Sequence, residues 1–401
     1  MPGHGGGSRF NEFSRLWAAA GHEVTVIAGN LSYVTGKVPE SYRGHWTTCE
    51  SDGDVTVWRC HVPSSYGRSY LGRMWAFFGF TLSSATAAWR AGDHDIVIAT
   101  SPPLITMIPA WLATRFKRSR VRMIFEVRDL WPESAITTNV LARDSVLTKL
   151  LFKLERWACC CADRVNVLTP AFRDDLISRG LVSAEKVVFV SNGADTELFY
   201  PASRDNAVRR DHQWADRFVV MYAGQHGRAN ALSQLLHAAE LLRDRSDILI
   251  ACVGDGPERP ALIEEAQRKN LTNIFFYGPQ TKAQMPDFIN ACDAGAAVLQ
   301  NNPTFRTVYP NKVFDYMSCE RPTVLAIDGI ARKLVCDEAR AGVFAEPENA
   351  NQIAAAIRRL ADDPEECRVM GRRGREWVLM NATRQMLATK YLDIMKEMVS
   401  A

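Results

Sequence analysis

Short runs of β-branched and other apolar residues recur along this chain, with helical or loop-forming stretches between them. In the first half they read "EVTVIA", "DIVIATSPP", "VRMIFEVRDLWP", "DRVNVLT" and "KVVFVSNG". In the second they read "RFVVMYAG", "DILIACVGDG", "NIFFYG", "DAGAAVL", "PTVLAI" and "AGVFAE". Strands separated by helices do not close as hairpins, so they have to lie parallel, joined by crossovers and covered by helices on both faces. The pattern breaks over "ADTELFYPASRDNAVRR", a polar stretch containing Pro201 that suits a connector better than a core element. The expected organisation is therefore α/β: two Rossmann-like, doubly wound parallel-sheet domains at residues 1–194 and 211–375, with a linker at 195–210. A C-terminal helical stretch at 376–401 is expected to pack back toward the first domain. Sheets of this kind bind ligands at the carboxyl ends of their strands, which makes the cleft between the domains the default site.

Composition narrows the classes. The 401 residues suffice for two cores, and 47% hydrophobic with 23% charged content describes a globular chain, not a disordered or fibrous one. No apolar run approaches the roughly 18 to 20 residues that cross a bilayer, and the polar, glycine-rich start does not suit a secretory signal, so a cytoplasmic protein is expected. The ten cysteines include Cys159, Cys160 and Cys161 but no C-x-x-C pair. Reduced, mostly buried thiols follow, with no metal site. The net charge of +3 lies wholly in the first half and is too small to imply nucleic acid. It is unevenly spread, because residues 96–125 hold Arg115, Lys117, Arg118, Arg120 and Arg122 and no acid.

Several motifs carry chemistry. Gly5, Gly6 and Gly7 lead into Ser8, a helix N-cap, after which Phe13, Leu16, Trp17 and Ala20 keep helical spacing until Gly21. A glycine run entering a helix brings backbone N–H groups up to a phosphate. In "YPNKVFDYMSCERPTV", Pro310 and Asn311 open a helix whose first turn offers free N–H groups, and Lys312 adds a charge suited to a diphosphate. Asp315 stands one turn further on, in reach of a sugar's vicinal hydroxyls. The plain alternative is a solvated helix start. In "VGDGPERPAL", Gly254 and Gly256 mark a strand end where backbone approaches a ligand or merely turns. Arg128, Asp129 and Glu133 follow a buried strand in "FEVRDLWPES", where charged groups face a cleft or else form a structural ion pair.

Taken in order, "GGGSRFNEFSRLWAAAGHEVTVI", "SNGADTELFYP", "YAGQHG", "VGDGPE", "NIFFYG" and "YPNKVFDYMSCERPTV" resemble glycosyltransferase family 4, retaining and metal-independent sugar-nucleotide transferases of the GT-B fold. The similarity runs nearly end to end. With "ATSPPL" and "FEVRDLWPES" it is closest to the bacterial L-fucosamine-type transferases of O-antigen and capsule assembly. The resemblance implies that Gly6 and Gly7 meet the donor diphosphate from one domain, and the Asn311, Lys312 and Val313 helix start from the other. It implies that Asp315 binds the ribose and that the base lies near Gly278 and Pro279. UDP is the expected nucleotide, with no cofactor and no metal. Thr307 stands where the family has the first glutamate of its E-x7-E motif, leaving Arg306 or a backbone group for the transferred sugar. Gln225 and Asn230 replace an arginine and a lysine, so Lys312 and Arg228 have to neutralise the leaving diphosphate, with His226 as a hydrogen-bond donor. Arg128 occupies the place of a frequent catalytic histidine, followed by Asp129.

The same resemblance places a central strand immediately before the glycine run, and only four residues precede it here. An apolar run of about five to seven residues is expected upstream. A sugar-nucleotide epimerase of this fold and a non-catalytic sugar-nucleotide-binding protein are the rival readings. For the acceptor, "SYLGRMWAFFGFTLSSATAAWRA" concentrates Leu71, Met74, Trp75, Phe77, Phe78 and Phe80 in a core or interfacial helix. The basic run beyond it suits an anionic lipid surface. The expectation is a lipid-linked glycan acceptor met at the inner face of the cytoplasmic membrane.

Overall fold

The computed structural model describes residues 9–31, 37–63, 70–115 and 120–400. Gly6, Gly7, Lys117 and Arg118 lie outside them. The chain forms two compact units, one reaching Ser191 and taking up Leu387 onward, the other Asn192–Met386.

The first unit runs α1 (Arg9–Ala19), β1 (Val24–Gly29), β2 (Thr47–Asp52), β3 (Val55–Cys60), α2 (Tyr70–Arg90), β4 (Ile96–Ser101), α3 (Met107–Arg115) and β5 (Arg122–Val127). It continues with α4 (Glu133–Thr137), α5 (Val146–Cys161), β6 (Arg164–Val167), α6 (Pro170–Ser178) and β7 (Val187–Phe189). Its strands make two sheets. One is β1-β3-β2, with β1 parallel to β3 and β2 antiparallel; the other is the all-parallel β4-β5-β6-β7. The β2–β3 hairpin, absent from the sequence reading, turns at Gly53, where φ is +62°. Both β1 and β4 close their sheets, and Val24, Ile96 and Ile98 from the two strands meet α1 in one apolar cluster. No described strand stands between them.

In the second unit come α7 (Ala207–Asp211), β8 (Phe218–Ala223), α8 (Ser233–Leu241), β9 (Ile248–Val253), α9 (Arg259–Arg268), β10 (Ile274–Tyr277), α10 (Met285–Ala291) and β11 (Ala294–Val298). Then follow α11 (Asn311–Ser318), β12 (Thr323–Ala326), α12 (Ile330–Arg332), β13 (Gly342–Phe344), α13 (Ala350–Asp362) and α14 (Pro364–Asn381). Six parallel strands take the order β10-β9-β8-β11-β12-β13. Inner strands β8, β9 and β11 are flanked by apolar clusters on both faces, as continuous runs such as "ILIACV", buried throughout, require. The stretch expected as a linker folds into this unit: Leu198 and Phe199 pack around the wholly buried Trp214.

The last helix, α15 (Arg384–Ser400), begins in the second unit and belongs from Leu387 on to the first. There Trp17 Nε1 donates to the Ala388 carbonyl at 2.9 Å, and Phe13, Trp17 and Tyr391 pack edge to face or tilted. Beneath that cluster lies a charge pair. Arg9 Nη2 reaches Glu126 Oε2 at 2.6 Å and Nη1 donates to the carbonyls of Val190 and Ser191. Asn166 Nδ2 and the Tyr391 hydroxyl also donate to Glu126, so the buried carboxylate is fully satisfied.

Candidate active site

The strand order of the second unit reverses at β8, which has β9 on one side and β11 on the other. That is the point where a doubly wound sheet leaves a crevice at its carboxyl ends. The loops leaving β8 and β9 are interlocked there. The His226 amide donates to the Asp255 carbonyl at 2.8 Å, and the Glu258 amide returns to the His226 carbonyl at 3.0 Å. Gly254 adopts φ +140°, and a Cβ on it would run into the Gly224 carbonyl; one on Gly256 would strike the backbone of His226. These glycines serve close backbone approach between two loops. Gly278 follows β10, whose Tyr277 carbonyl accepts from the Gly254 amide at 3.2 Å, and Pro279 comes next.

Into this corner α11 delivers Lys312. Its ammonium lies 3.7 Å from the centroid of the Tyr222 ring, close beside Gly224. Loss of hydration pulls its pKa from 10.5 down to about 7. Tyr316, one turn further along α11, fixes the helix: its hydroxyl accepts from the Ala223 amide at 2.8 Å and donates to the Met221 carbonyl at 3.1 Å. Its ring fits only because β11 has Gly295 there, since a Cβ would overlap it. Sequence reasoning missed Tyr316 and Gly295, because nothing in either segment says that they meet. Pro310 offers α11 no side-chain cap, so the N-cap leaves the first amides of the helix without a side-chain acceptor of its own.

Other expected donor residues are placed less directly. Asn311 is exposed and accepts from Asn192 Nδ2 at 2.6 Å, while Asp315 is half-buried on the same helix. The Val313 side chain is in the core and its amide donates to the Pro310 carbonyl at 3.1 Å. The imidazole of His226 is wholly buried near Tyr222 and Phe276, and neither ring nitrogen has a partner among the described residues. Burial, with Arg259 nearby, lowers its pKa to about 4, so the ring is neutral at pH 7. Arg228 is exposed on the loop after β8. Arg306 is largely exposed, 3.8 Å from Asp328, and Thr307 turns inward to donate to the Thr304 carbonyl at 2.7 Å.

In the first unit, Arg128 and Asp129 leave β5 at its carboxyl end. Arg128 is exposed, and its amide donates to the Ser101 carbonyl at 3.0 Å. Asp129 accepts from the Ser134 hydroxyl at 2.8 Å at the start of α4, and burial raises its pKa. Glu133 pairs with Arg143, not with Arg128. Among the described residues no group of His, Cys, Asp and Glu could hold a metal ion.

A parallel six-stranded sheet with a lysine and a helix start at its reversal point defines a doubly wound α/β class of protein. The comparisons specify it. Residues 4–193 match the glycosyl transferase 4-like domain and residues 205–377 the glycosyl transferases group 1. The chain belongs to glycosyltransferase family 4, with the GT-B fold, and is a glycosyltransferase. It is 26% identical to WcaI of Escherichia coli K12, named for glycosyl transfer in colanic acid biosynthesis, over 88% of this chain and 87% of that one. Its fold is similar to that of a sucrose-phosphate synthase from Thermosynechococcus elongatus (TM-score 0.73, 18% identity, 97% of this chain and 92% of that one). Anabaena HepE, solved with UDP and glucose, is also similar (TM-score 0.69, 18% identity, 94% and 100%).

Proposed function

We propose that the protein transfers a sugar from a UDP-sugar, with retention at the anomeric carbon, to a lipid-linked glycan in the assembly of a bacterial surface polysaccharide. The observation that carries this is the Lys312 ammonium at the carboxyl end of β8, beside the uncapped start of α11. Charge develops on the diphosphate as the glycosidic bond breaks, and a fixed cation with aimed amides stabilises it without reorganising. Lys312 and the first amides of α11 hold the diphosphate, assisted by Arg228. Asp315 takes the ribose, the backbone at Gly278 and Pro279 the base, and Arg306 the transferred sugar. Arg128 acts on turnover and Asp129 fixes the α4 turn beside it. No metal takes part. UDP is supported by HepE, and polysaccharide assembly by WcaI. The basic run from Arg115 to Arg122 favours an anionic surface, the inner face of the cytoplasmic membrane.

The test is UDP release from UDP-sugars with and without lipid-linked acceptors. Acceptor-dependent release with the anomeric configuration kept is the expected result. A new sugar nucleotide formed without acceptor would make the protein an epimerase, and binding without turnover would make it a binding protein. Lys312→Ala and Asp315→Ala should each lower kcat/KM for the donor about ten- to a hundredfold, the loss of one charge-assisted contact. Wild-type kinetics in both would remove this site.

A further inference from the structure

Helix α2 is built inside out. The face it turns to the protein carries small residues: Ala76, Ser83, Ser84, Ala87 and Ala88 are buried, and Ser83 donates to the His61 carbonyl at 2.8 Å. A Cβ on Gly79 would overlap the Pro63 ring, so the helix lies close against its neighbours. Phe77 and Phe80 are half-buried, Phe80 against Trp58 and Cys60, while four other large apolar side chains are on the outer side. Trp75 is 60% exposed, Phe78 49%, Leu82 47% and Trp89 77%. Their spacing of three, four and seven residues is that of one helical stripe. Thr86 fills the remaining place in the stripe, and its hydroxyl accepts from the indole of Trp46, itself 46% exposed, at 3.0 Å. Five large apolar groups thus share one surface, three of them tryptophans, with Trp75 and Phe78 stacked at 5.8 Å. A helix of a water-facing protein does the reverse, and an exposed patch of this kind marks a surface that something covers.

Charge says what covers it. No acidic residue occurs between Asp54 and Asp93, and the charged residues of α2 are Arg73 and Arg90. The helix packed along α2 is α3, which ends at the exposed Arg115 and leads into the basic run. Tryptophan at a stripe's surface, cations alongside and no carboxylate is the composition that favours the headgroup layer of an anionic bilayer.

We infer that the outer face of α2, with Trp46, is the surface by which this protein seats on an anionic membrane, its tryptophans at headgroup depth. This deepens the membrane part of the proposed function and rests on that part alone, not on the donor. The stripe runs fourteen residue steps from Trp75 to Trp89, about 21 Å along the helix axis. It therefore lies in the plane of the interface and does not cross it, in keeping with the absence of any described helix long and apolar enough to span.

Sedimentation with vesicles of phosphatidylcholine and phosphatidylglycerol in equal parts tests this, alongside vesicles of phosphatidylcholine alone. The variant Trp75→Ser, Phe78→Ser, Trp89→Ser removes exposed side chains only, so its unfolding temperature should be unchanged or higher. Its partition onto the mixed vesicles should fall about tenfold or more. Quenching of tryptophan fluorescence by brominated acyl chains, expected in the wild type, should fall with it. UDP release with a soluble acceptor should stay at the wild-type rate. A variant that binds as the wild type does overturns the inference for α2. If Arg115→Glu, Arg120→Glu abolishes binding while the serine variant does not, the membrane reading stands and α2 has no part in it. Wild-type protein that ignores both vesicles and sediments as a dimer, which the serine variant dissociates, assigns the face to a second copy.

Discussion

A lysine whose ammonium rests on the Tyr222 ring is balanced between charged and neutral at physiological pH, and that makes Lys312 a measurable group. Because kcat/KM reports ionisations of the free enzyme, its value for the donor should fall above about pH 7 as Lys312 loses its proton. Lys312→Arg, which keeps its charge, should move that limb beyond the accessible range. A pH profile unchanged by Lys312→Arg would separate the lysine from the reaction. Stability carries the opposite sign: between about pH 7 and 10.5 the unfolded lysine holds a proton that the folded one has lost, so folding strengthens as pH rises. A second residue of consequence is Glu126, whose carboxylate is satisfied by Arg9, Asn166 and Tyr391. Removing one partner of a buried pair costs about 3–5 kcal/mol. Glu126→Gln should therefore lower the urea midpoint, and Arg9→Met with Glu126→Leu should restore part of it. The "PNK" helix start was legible because proline, asparagine and lysine speak locally. The pairing of Arg9 with Glu126, 117 positions apart, was not, because no local pattern encodes it.

Among the elements, the loops after β8 and β9 behave as one unit, since each supplies the other's hydrogen-bond partners. Gly254→Ala would put a methyl group into the Gly224 carbonyl at a φ of +140°. Strain of that kind costs about 1–3 kcal/mol, so the variant should melt lower and use the donor less well even though no ligand-facing side chain changes. Calorimetry with donor kinetics would check both, and loss of neither would mean that the loops are free to separate. The parallel strands of the three sheets were legible because apolar runs set off by glycine and polar turns are a local signal. The β2–β3 hairpin should have been legible too, for "CESDGDVTV" carries a two-residue Gly-Asp turn between alternating strands. The orientation of α2 was not legible: its sequence offers aromatic residues to either face, and only packing of Gly79 and its small neighbours decides which one turns outward.

For the molecule as a whole, the return of α15 to the first unit means that the end of the chain completes the core begun by α1. Tyr391 and Ala388 are partners that Phe13 and Trp17 cannot find locally. The division of that unit's strands into two sheets has a further result. No residue of β1 is fully buried, whereas four of the six in β3 are, and β4 is less buried than β5. Along the outer edges of β1 and β4 the peptide groups have no neighbouring strand among the described residues, and a strand edge of that kind exchanges its protons more readily than a strand paired on both sides. Deuterium should enter β1 and β4 within the time that leaves β3 and β5 largely protonated, a contrast that peptide-resolved mass spectrometry reads directly. Equal protection of all four would mean that the two edges are covered in solution. Time itself, as the rate at which one label replaces another, would then show whether the first unit lives as one sheet or as two.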